Sequence, residues 1–374
     1  MSGAGGWRDR LRARRDRILG DPAIQRWVER QPLLRPLVRR EARRLFDLVA
    51  GFVYTQVLLA VVRLRVLEAL AAGPRTAAEL AAAAGLAEEP AARLLDAAVA
   101  IGLLEERGAG RYGLATLGGA LLAHPELARL IEHDALLYRD LEDPVALLRG
   151  ERPTALGSYW GYAGGARDAA RTLDPDAVAP YSALMAASQP LVAREVLDAW
   201  DVARHARLLD VGGGEGVFAA LAAERAPRLA ITLFDLPAVV ERARARLAAS
   251  GLLARVTLVG GSFWDDPLPA GADLVTLVRV LFDHPDDRVL ALLARVRAAI
   301  APGGTVLVAE PMARTAGAER MGAAYFGMYL LAMGGGRPRS ATEHVALLAR
   351  AGFRRARPLA VHSPIQTGVV VAQA

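Results

Sequence analysis

The chain has 374 residues, 53% hydrophobic and 23% charged, enough to bury more than one core, so two domains are expected. It has no cysteine and six scattered histidines without HExxH or HxH spacing, which excludes disulfides, thiol nucleophiles and thiolate centres and leaves no bound metal expected. The net charge of +6 comes from a chain with arginine and no lysine, and the excess sits in the first 45 residues as a basic arm rather than over a face.

That arm interleaves arginine with Trp7, Leu11, Ile18, Trp27, Leu33 and Leu37, with Pro22, Pro32 and Pro36 as interruptions. Short amphipathic helices follow, suited either to peripheral contact with an anionic membrane surface or to packing on a partner subunit. Arg8 to Arg17 run into Asp21 and Pro22 without an apolar region, so no signal peptide is expected and a cytoplasmic location fits. The apolar stretch Leu48 to Val62 contains Thr55 and Gln56 and falls short of the roughly 20 residues of a membrane span, which predicts a buried helix. Phe52, Val53, Val57, Leu58, Val61 and Val62 make it apolar nearly all round in a small domain, so a homodimer is expected.

Thr76 and Glu79 form a capping box ahead of Leu80 to Ala84, Gly85 stops that helix, and Pro90 opens the next, Ala91 to Leu104. Glu105 to Leu114 reads as a hairpin around Gly108 and Gly110. This is the order of a winged helix. Nucleic acid is not expected as a partner, because the would-be recognition helix offers only Arg93 and the wing begins with Glu105 and Glu106. A helical connector, Pro125 to about Trp200, leads to β runs alternating with helices: Arg207 to Val211, Ala230 to Phe234, Arg255 to Val259, Asp273 to Val280, Thr305 to Glu310 and Gly368 to Ala372. That alternation predicts a doubly wound α/β domain with a parallel sheet.

The stretch LLDVGGGEGVF runs from a buried strand into Gly212, Gly214 and Gly216 and then a helix, which opens the main chain to a ligand. It also fits a GxGxxA dinucleotide fingerprint, so NAD and S-adenosyl-L-methionine (SAM) both require consideration. Three features favour SAM. Asp210 stands where a carboxylate holds an ammonium and would repel a pyrophosphate. Asp235 ends the next strand, placed for two ribose hydroxyls. Gly261, Ser262 and Phe263 close the third strand, Phe263 to stack on adenine and Ser262 to meet its amino edge.

The motifs DVGGGEG, FDLPAVV, GGSFWDDPLP, RVLFDHPDD and APGGTVLVAEPM, with the preceding winged-helix region, resemble the cation-independent small-molecule O-methyltransferases, the family of the acetylserotonin and caffeate enzymes. The Arg-rich start, RLFDLVAGFVYTQVLLAVVRLRV and YLLAMGGGRPRS look most similar to the branch acting on carotenoids of the demethylspheroidene or hydroxyneurosporene type. The resemblance implies a class I SAM-dependent methyltransferase with a Rossmann-like doubly wound sheet and an N-terminal winged-helix dimerisation domain. Its implied divisions are a basic arm, 1–45, a dimerisation domain, 46–124, a connector with part of the acceptor pocket, 125–200, and a SAM-binding domain, 201–374. It implies methylation of a tertiary 1-hydroxyl on an apolar carotenoid. It carries cofactor contacts onto Gly212, Gly214, Asp235, Leu236, Gly261, Ser262, Phe263 and Arg279, although Ser262 replaces the family's usual acidic residue.

Met321, Tyr325, Met328, Tyr329 and Met333 fall at helical spacing, and a stripe rich in flexible thioethers suits a pocket for a long polyene. The resembled family lines its acceptor site with this segment. Its base is the His of LHDWxDE, and here Phe282 stands at that position. His284 is a displaced candidate, with Glu310 in VAEPM, His133 or no residue at all as the alternatives, while Asp283 or His284 also suits the cap of the helix that Pro285 opens. Alternatives to methyl transfer are a family member turned hydroxylase or decarboxylase, a methyltransferase on another apolar small molecule, and a non-catalytic module built on the winged helix.

Overall fold

In the computed structural model, which describes residues 7–159, 175–363 and 367–374, the chain divides into two units, Met1–Ala123 and His124–Ala374. The first opens with helices Trp7–Leu19 and Pro22–Arg30, the second capped by Asp21, whose carboxylate accepts from the N–H groups of Ala23 and Ile24. Pro36 does not interrupt the chain as expected. It lies in the first turn of a 29-residue helix, Arg35–Arg63, where its missing N–H costs no intrahelical bond. The basic residues 35–44 and the apolar run after them are therefore two parts of one helix.

The expectation of a span too short for a membrane is also corrected, because segment Pro32–Arg63 is long and apolar enough to cross one. Only its far end is buried as the sequence predicts, with Leu59 and Val61 in the core and Phe46, Leu48 and Phe52 more than 60% exposed. The capping box forms, since Glu79 N–H donates to Thr76 Oγ1 and Thr76 N–H to Glu79 Oε2, and Gly85 ends helix Ala77–Ala84 in the left-handed region. Helix Glu88–Ala100 starts two residues ahead of Pro90. A short strand β1 (Arg75–Thr76) joins the expected hairpin of β2 (Leu104–Glu106) and β3 (Arg111–Leu114) in an antiparallel sheet of order β1-β3-β2.

The second unit begins with helices Pro125–Asp140, Pro144–Arg149, Ala155–Tyr159 and Pro175–Ala199. Seven strands follow: β4 (Arg207–Val211), β5 (Ala230–Asp235), β6 (Val256–Gly260), β7 (Leu274–Val278), β8 (Thr305–Glu310), β9 (Arg354–Leu359) and β10 (Gly368–Gln373). They form one sheet in the order β6-β5-β4-β7-β8-β10-β9. The central strands β7 and β8 are buried throughout, as near-continuous apolar runs in parallel sheets must be. One core packs each face, around Leu208, Phe218 and Leu247 on one side and Leu209, Phe234 and Leu292 on the other.

The parallel sheet expected from the sequence has an antiparallel far side. β10 runs antiparallel to both β8 and β9. β9, RRARPL, is largely exposed at the sheet edge, where it needs no apolar alternation and tolerates Pro358.

Candidate active site

β4 pairs with β5 on one side and β7 on the other, so the chain leaves the sheet centre in both directions and a crevice opens beyond the carboxyl ends of these strands. The glycine loop joins the end of β4 to helix Val217–Arg225 there. A Cβ on Gly212, whose φ is 70°, would stand 2.7 Å from a Val280 methyl, and one on Gly213 would stand 2.8 Å from Asp210 Oδ2. The loop therefore excludes side chains and bares its backbone at the start of helix Val217–Arg225. Gly212 N–H donates to Phe234 O at 2.8 Å.

Asp235 ties the next strand end to this loop. Its Oδ2 accepts from Gly214 N–H and its Oδ1 from Leu236 N–H, both at 2.7 Å, and its carbonyl accepts from Gly261 N–H at 2.9 Å. Burial pushes its carboxyl up to about 6 against the pull of those donors. Asp210 is buried; Thr276 donates to its Oδ1 at 2.7 Å, and its Oδ2 has no hydrogen-bond partner among the described residues. Burial pushes Asp210 up to about 7, and the charge of Asp235 adds to the effect. An unpartnered buried carboxylate oxygen beside an open glycine loop fits a cationic ligand group. Glu215, in the same loop, is already paired with Arg242 at 2.7 Å and Arg246 at 2.6 Å.

At the third strand end Ser262 N–H donates to Asp266 Oδ2 at 2.8 Å and Ser262 Oγ accepts from Trp264 N–H at 3.2 Å. Phe263 meets Trp264 edge-on at 4.8 Å, and the His284 ring stands against both, 5.8 Å from Phe263 and 4.9 Å from Trp264. Burial, with Arg288 and Arg339 nearby, lowers His284 to about 4. Its ring contacts with Phe263 and Trp264 are thus on the side where adenine is expected.

Arg279 directly follows β7 with φ 60°, a strained position for a side-chain-bearing residue. Its guanidinium donates to Ser188 Oγ at 2.7 Å and meets Met185 Sδ at 3.0 Å. Glu310 is fully buried, and its Oε1 accepts from Val280 and Leu281 N–H at 3.0 and 2.7 Å. It thereby holds the single turn Leu281–Asp283. Burial pushes Glu310 up to about 8 and, reinforced by Glu310, raises Asp283 well above the carboxylate range.

The acceptor-side residues gather separately. Tyr329 and Met333 are buried and Tyr325 and Met328 half-buried in one cluster with Phe282, Leu137 and Leu156. The stripe is not one regular helix, because a π-helix, Arg320–Tyr325, precedes helix Phe326–Met333 and shifts Met321 out of simple 3.6-residue register. Tyr325 and Tyr329 stack at 5.9 Å. Tyr325 donates to Asp134 at 2.8 Å, and His133 Nε2 lies 2.8 Å from the Tyr329 hydroxyl. Burial lowers His133 to about 4 and raises Asp134 to about 6. Asp134, and the bond of His133 to Tyr329, escaped the sequence reading: IEHDALLYRD carries no motif, and the partners lie 196 residues apart.

Residues 138–354 match the O-methyltransferase domain family and residues 46–124 its dimerisation domain. The chain is 49% identical over 337 residues to demethylspheroidene O-methyltransferase of Cereibacter sphaeroides, covering 90% of this chain and 88% of that protein. It is 34% identical over 303 residues to aclacinomycin 10-hydroxylase RdmB of Streptomyces purpurascens, with 78% of each chain covered. The crystal structure of human N-acetylserotonin methyltransferase in complex with SAM superposes with a TM-score of 0.75 at 28% identity, covering 89% of this chain and 97% of that one. The dimerisation domain makes a homodimer the assembly of this chain, and with the two domain matches and these identities it belongs to the O-methyltransferase family.

Proposed function

We propose that this enzyme transfers the methyl group of SAM to the tertiary 1-hydroxyl of an acyclic carotenoid. The observation that carries the donor reading is a pair of carboxylates at neighbouring strand ends, Asp235 bonded to Gly214 N–H in the glycine loop and Asp210 bonded to Thr276 with its second oxygen unpartnered among the described residues. Asp210 Oδ2 holds the donor's ammonium. Asp235, steadied by Gly214 and Leu236, retains lone pairs for the ribose hydroxyls. Gly212 and Gly261 keep the crevice floor bare, Ser262 and Phe263 face the adenine, and Arg279 closes the side toward Ser188. The bound sulfonium supplies an activated methyl group. The protein's own work is then to exclude water and to align one hydroxyl.

The acceptor reading is supported by the cluster around Phe282, Met328, Tyr329 and Met333, apolar except for a few phenol, imidazole and carboxyl groups, and by the relative that methylates demethylspheroidene. We read 1–45 as a basic arm, 46–124 as the dimerisation domain, 125–200 as connector and 201–374 as the donor domain. A second reading, oxygen insertion, rests on Phe282 at the expected base position and on the hydroxylase relative. Incubation with methyl-labelled SAM and a 1-hydroxy carotenoid decides between them. Label in a methoxy carotenoid is expected; an unlabelled hydroxylated product, or no conversion, removes the methyl-transfer reading.

Two contacts complete the proposal. The exposed part of helix Arg35–Arg63, with Phe46, Leu48 and Phe52, lies within the dimerisation match and faces a second copy. On helix Trp7–Leu19, Trp7, Leu11 and Ile18 fall within about 40° of one another, flanked by Arg10, Arg14 and Arg15, with Asp9 and Asp16 on the far side. This stripe rests on an anionic bilayer, which keeps a cytoplasmic enzyme beside its lipid-soluble acceptor.

A further inference from the structure

Methylating a hydroxyl generates a proton, and the position expected to carry a base holds Phe282. Its ring is only 3% exposed and meets Phe326 edge-on at 6.1 Å, so it can close the acceptor cluster but cannot take a proton. Glu310 takes the N–H groups of Val280 and Leu281 through Oε1, and burial, by pushing its carboxyl up to about 8, leaves Oε2, unpartnered among the described residues, protonated rather than free to accept at neutral pH, while the ring of His284 is turned to Phe263 and Trp264.

The same cluster holds an imidazole bonded to a phenol, His133 Nε2 to Tyr329 at 2.8 Å, both groups at most 9% exposed. The Tyr329 ring lies 6.4 Å from Phe326, so the chain of contacts runs Phe282, Phe326, Tyr329, His133. Burying an imidazole in an aromatic cluster carries a desolvation cost that an apolar residue would avoid. His133 Nδ1 makes no hydrogen bond among the described residues. With Nε2 carrying the proton and donating to Tyr329, Nδ1 presents a lone pair, and the phenol holds the ring in place.

We propose that His133, held by Tyr329, accepts the proton of the acceptor hydroxyl and so replaces the base missing at Phe282. The acceptor oxygen forms its bond to the methyl carbon as the carbon–sulfur bond breaks, the electron pair of that bond stays on sulfur, and the hydroxyl proton passes to Nδ1. The imidazolium keeps its Nε2–H bond to Tyr329. Burial holds His133 neutral at physiological pH, as a proton acceptor must be, and its low basicity places its contribution at the modest end for general bases. Asp134, whose carboxylate is bonded to Tyr325, is the competing acceptor.

This rests on the methyl-transfer reading, and single-turnover transfer from labelled SAM to a 1-hydroxy carotenoid in detergent micelles tests it with both wild type and variants. His133→Asn is expected to be about 10²-fold slower, with SAM affinity by calorimetry and melting temperature unchanged. Adding Phe282→His to that variant should restore at least about tenfold of the loss, because it returns a base to the family position. Transfer by His133→Asn within threefold of wild type overturns the proposal, as does a slow variant that has also lost SAM affinity or thermal stability. A loss matched by Asp134→Asn but left unrestored by Phe282→His assigns the proton to Asp134 and overturns it equally. A wild-type protein that transfers no methyl group removes the functional reading itself.

Discussion

Asp235 joins three backbone segments: its carboxylate takes the N–H groups of Gly214 and Leu236 and its carbonyl that of Gly261. With both oxygens anchored, the carboxylate keeps further lone pairs for the vicinal diol of the proposed ribose clamp. Replacing it leaves buried donors unpaired and removes charge-assisted bonds, so Asp235→Ala is expected to weaken SAM binding by about 2 to 4 kcal/mol. Calorimetry giving wild-type affinity would sink the assignment. The place of Asp235 at a strand end was legible because strand, glycine loop and second strand end form a local pattern of fixed spacing. The bond between His133 and Tyr329 was not, because it exists only once helix Pro125–Asp140 and helix Phe326–Met333 are brought together.

Elements were legible where period or capping chemistry was strong. β4 and β8 begin and end where the apolar runs do, and Thr76 with Glu79 marks its helix by side chains alone. β9 escaped because an exposed edge strand leaves no alternation to read, and the π-turn at Arg320–Tyr325 because one extra residue per turn disturbs only the register. The long helix Arg35–Arg63 was misread at Pro36, where the ring suits a first turn as well as a break. The different roles proposed for it and for helix Trp7–Leu19 yield a paired test. Trp7→Asp with Leu11→Asp should abolish co-sedimentation with vesicles rich in phosphatidylglycerol while leaving a dimeric mass in light scattering. Phe52→Glu should shift the mass toward the monomer and leave vesicle binding in place. If either substitution acts on the other property instead, the assignment of the two surfaces fails.

For the whole molecule, buried titratable groups shape stability against pH in two opposed ways. His133, His284 and His344 are lowered to about 4 by burial, so the unfolded chain binds more protons than the folded one between about 4 and their ordinary 6.5, and stability rises with pH there. Asp134 and Asp235 are raised to about 6, Asp210 to about 7 and Glu310 to about 8. For these the folded state holds the extra protons, so their contribution falls as pH rises from the ordinary carboxylate value toward the folded one. Asp286 and Glu343, lowered to about 2 by their arginine and backbone partners, contribute a constant benefit above the ordinary carboxylate range. Below about pH 6.5 the histidines and carboxyls oppose each other; above it the histidines are spent and Asp210 and Glu310 remain. The ligand-free protein should therefore melt at a falling temperature from pH 6.5 to 8, and Asp210→Asn and Glu310→Gln should each flatten that slope. A donor ammonium beside Asp210 favours its charged form, so the rise in melting temperature given by saturating SAM should be larger at pH 7.5 than at pH 6. A ligand-free melting temperature that climbs through this window would show that these carboxyls are ionised at ordinary values in the folded protein, and the dry, unpartnered environment assigned to Asp210 would be wrong.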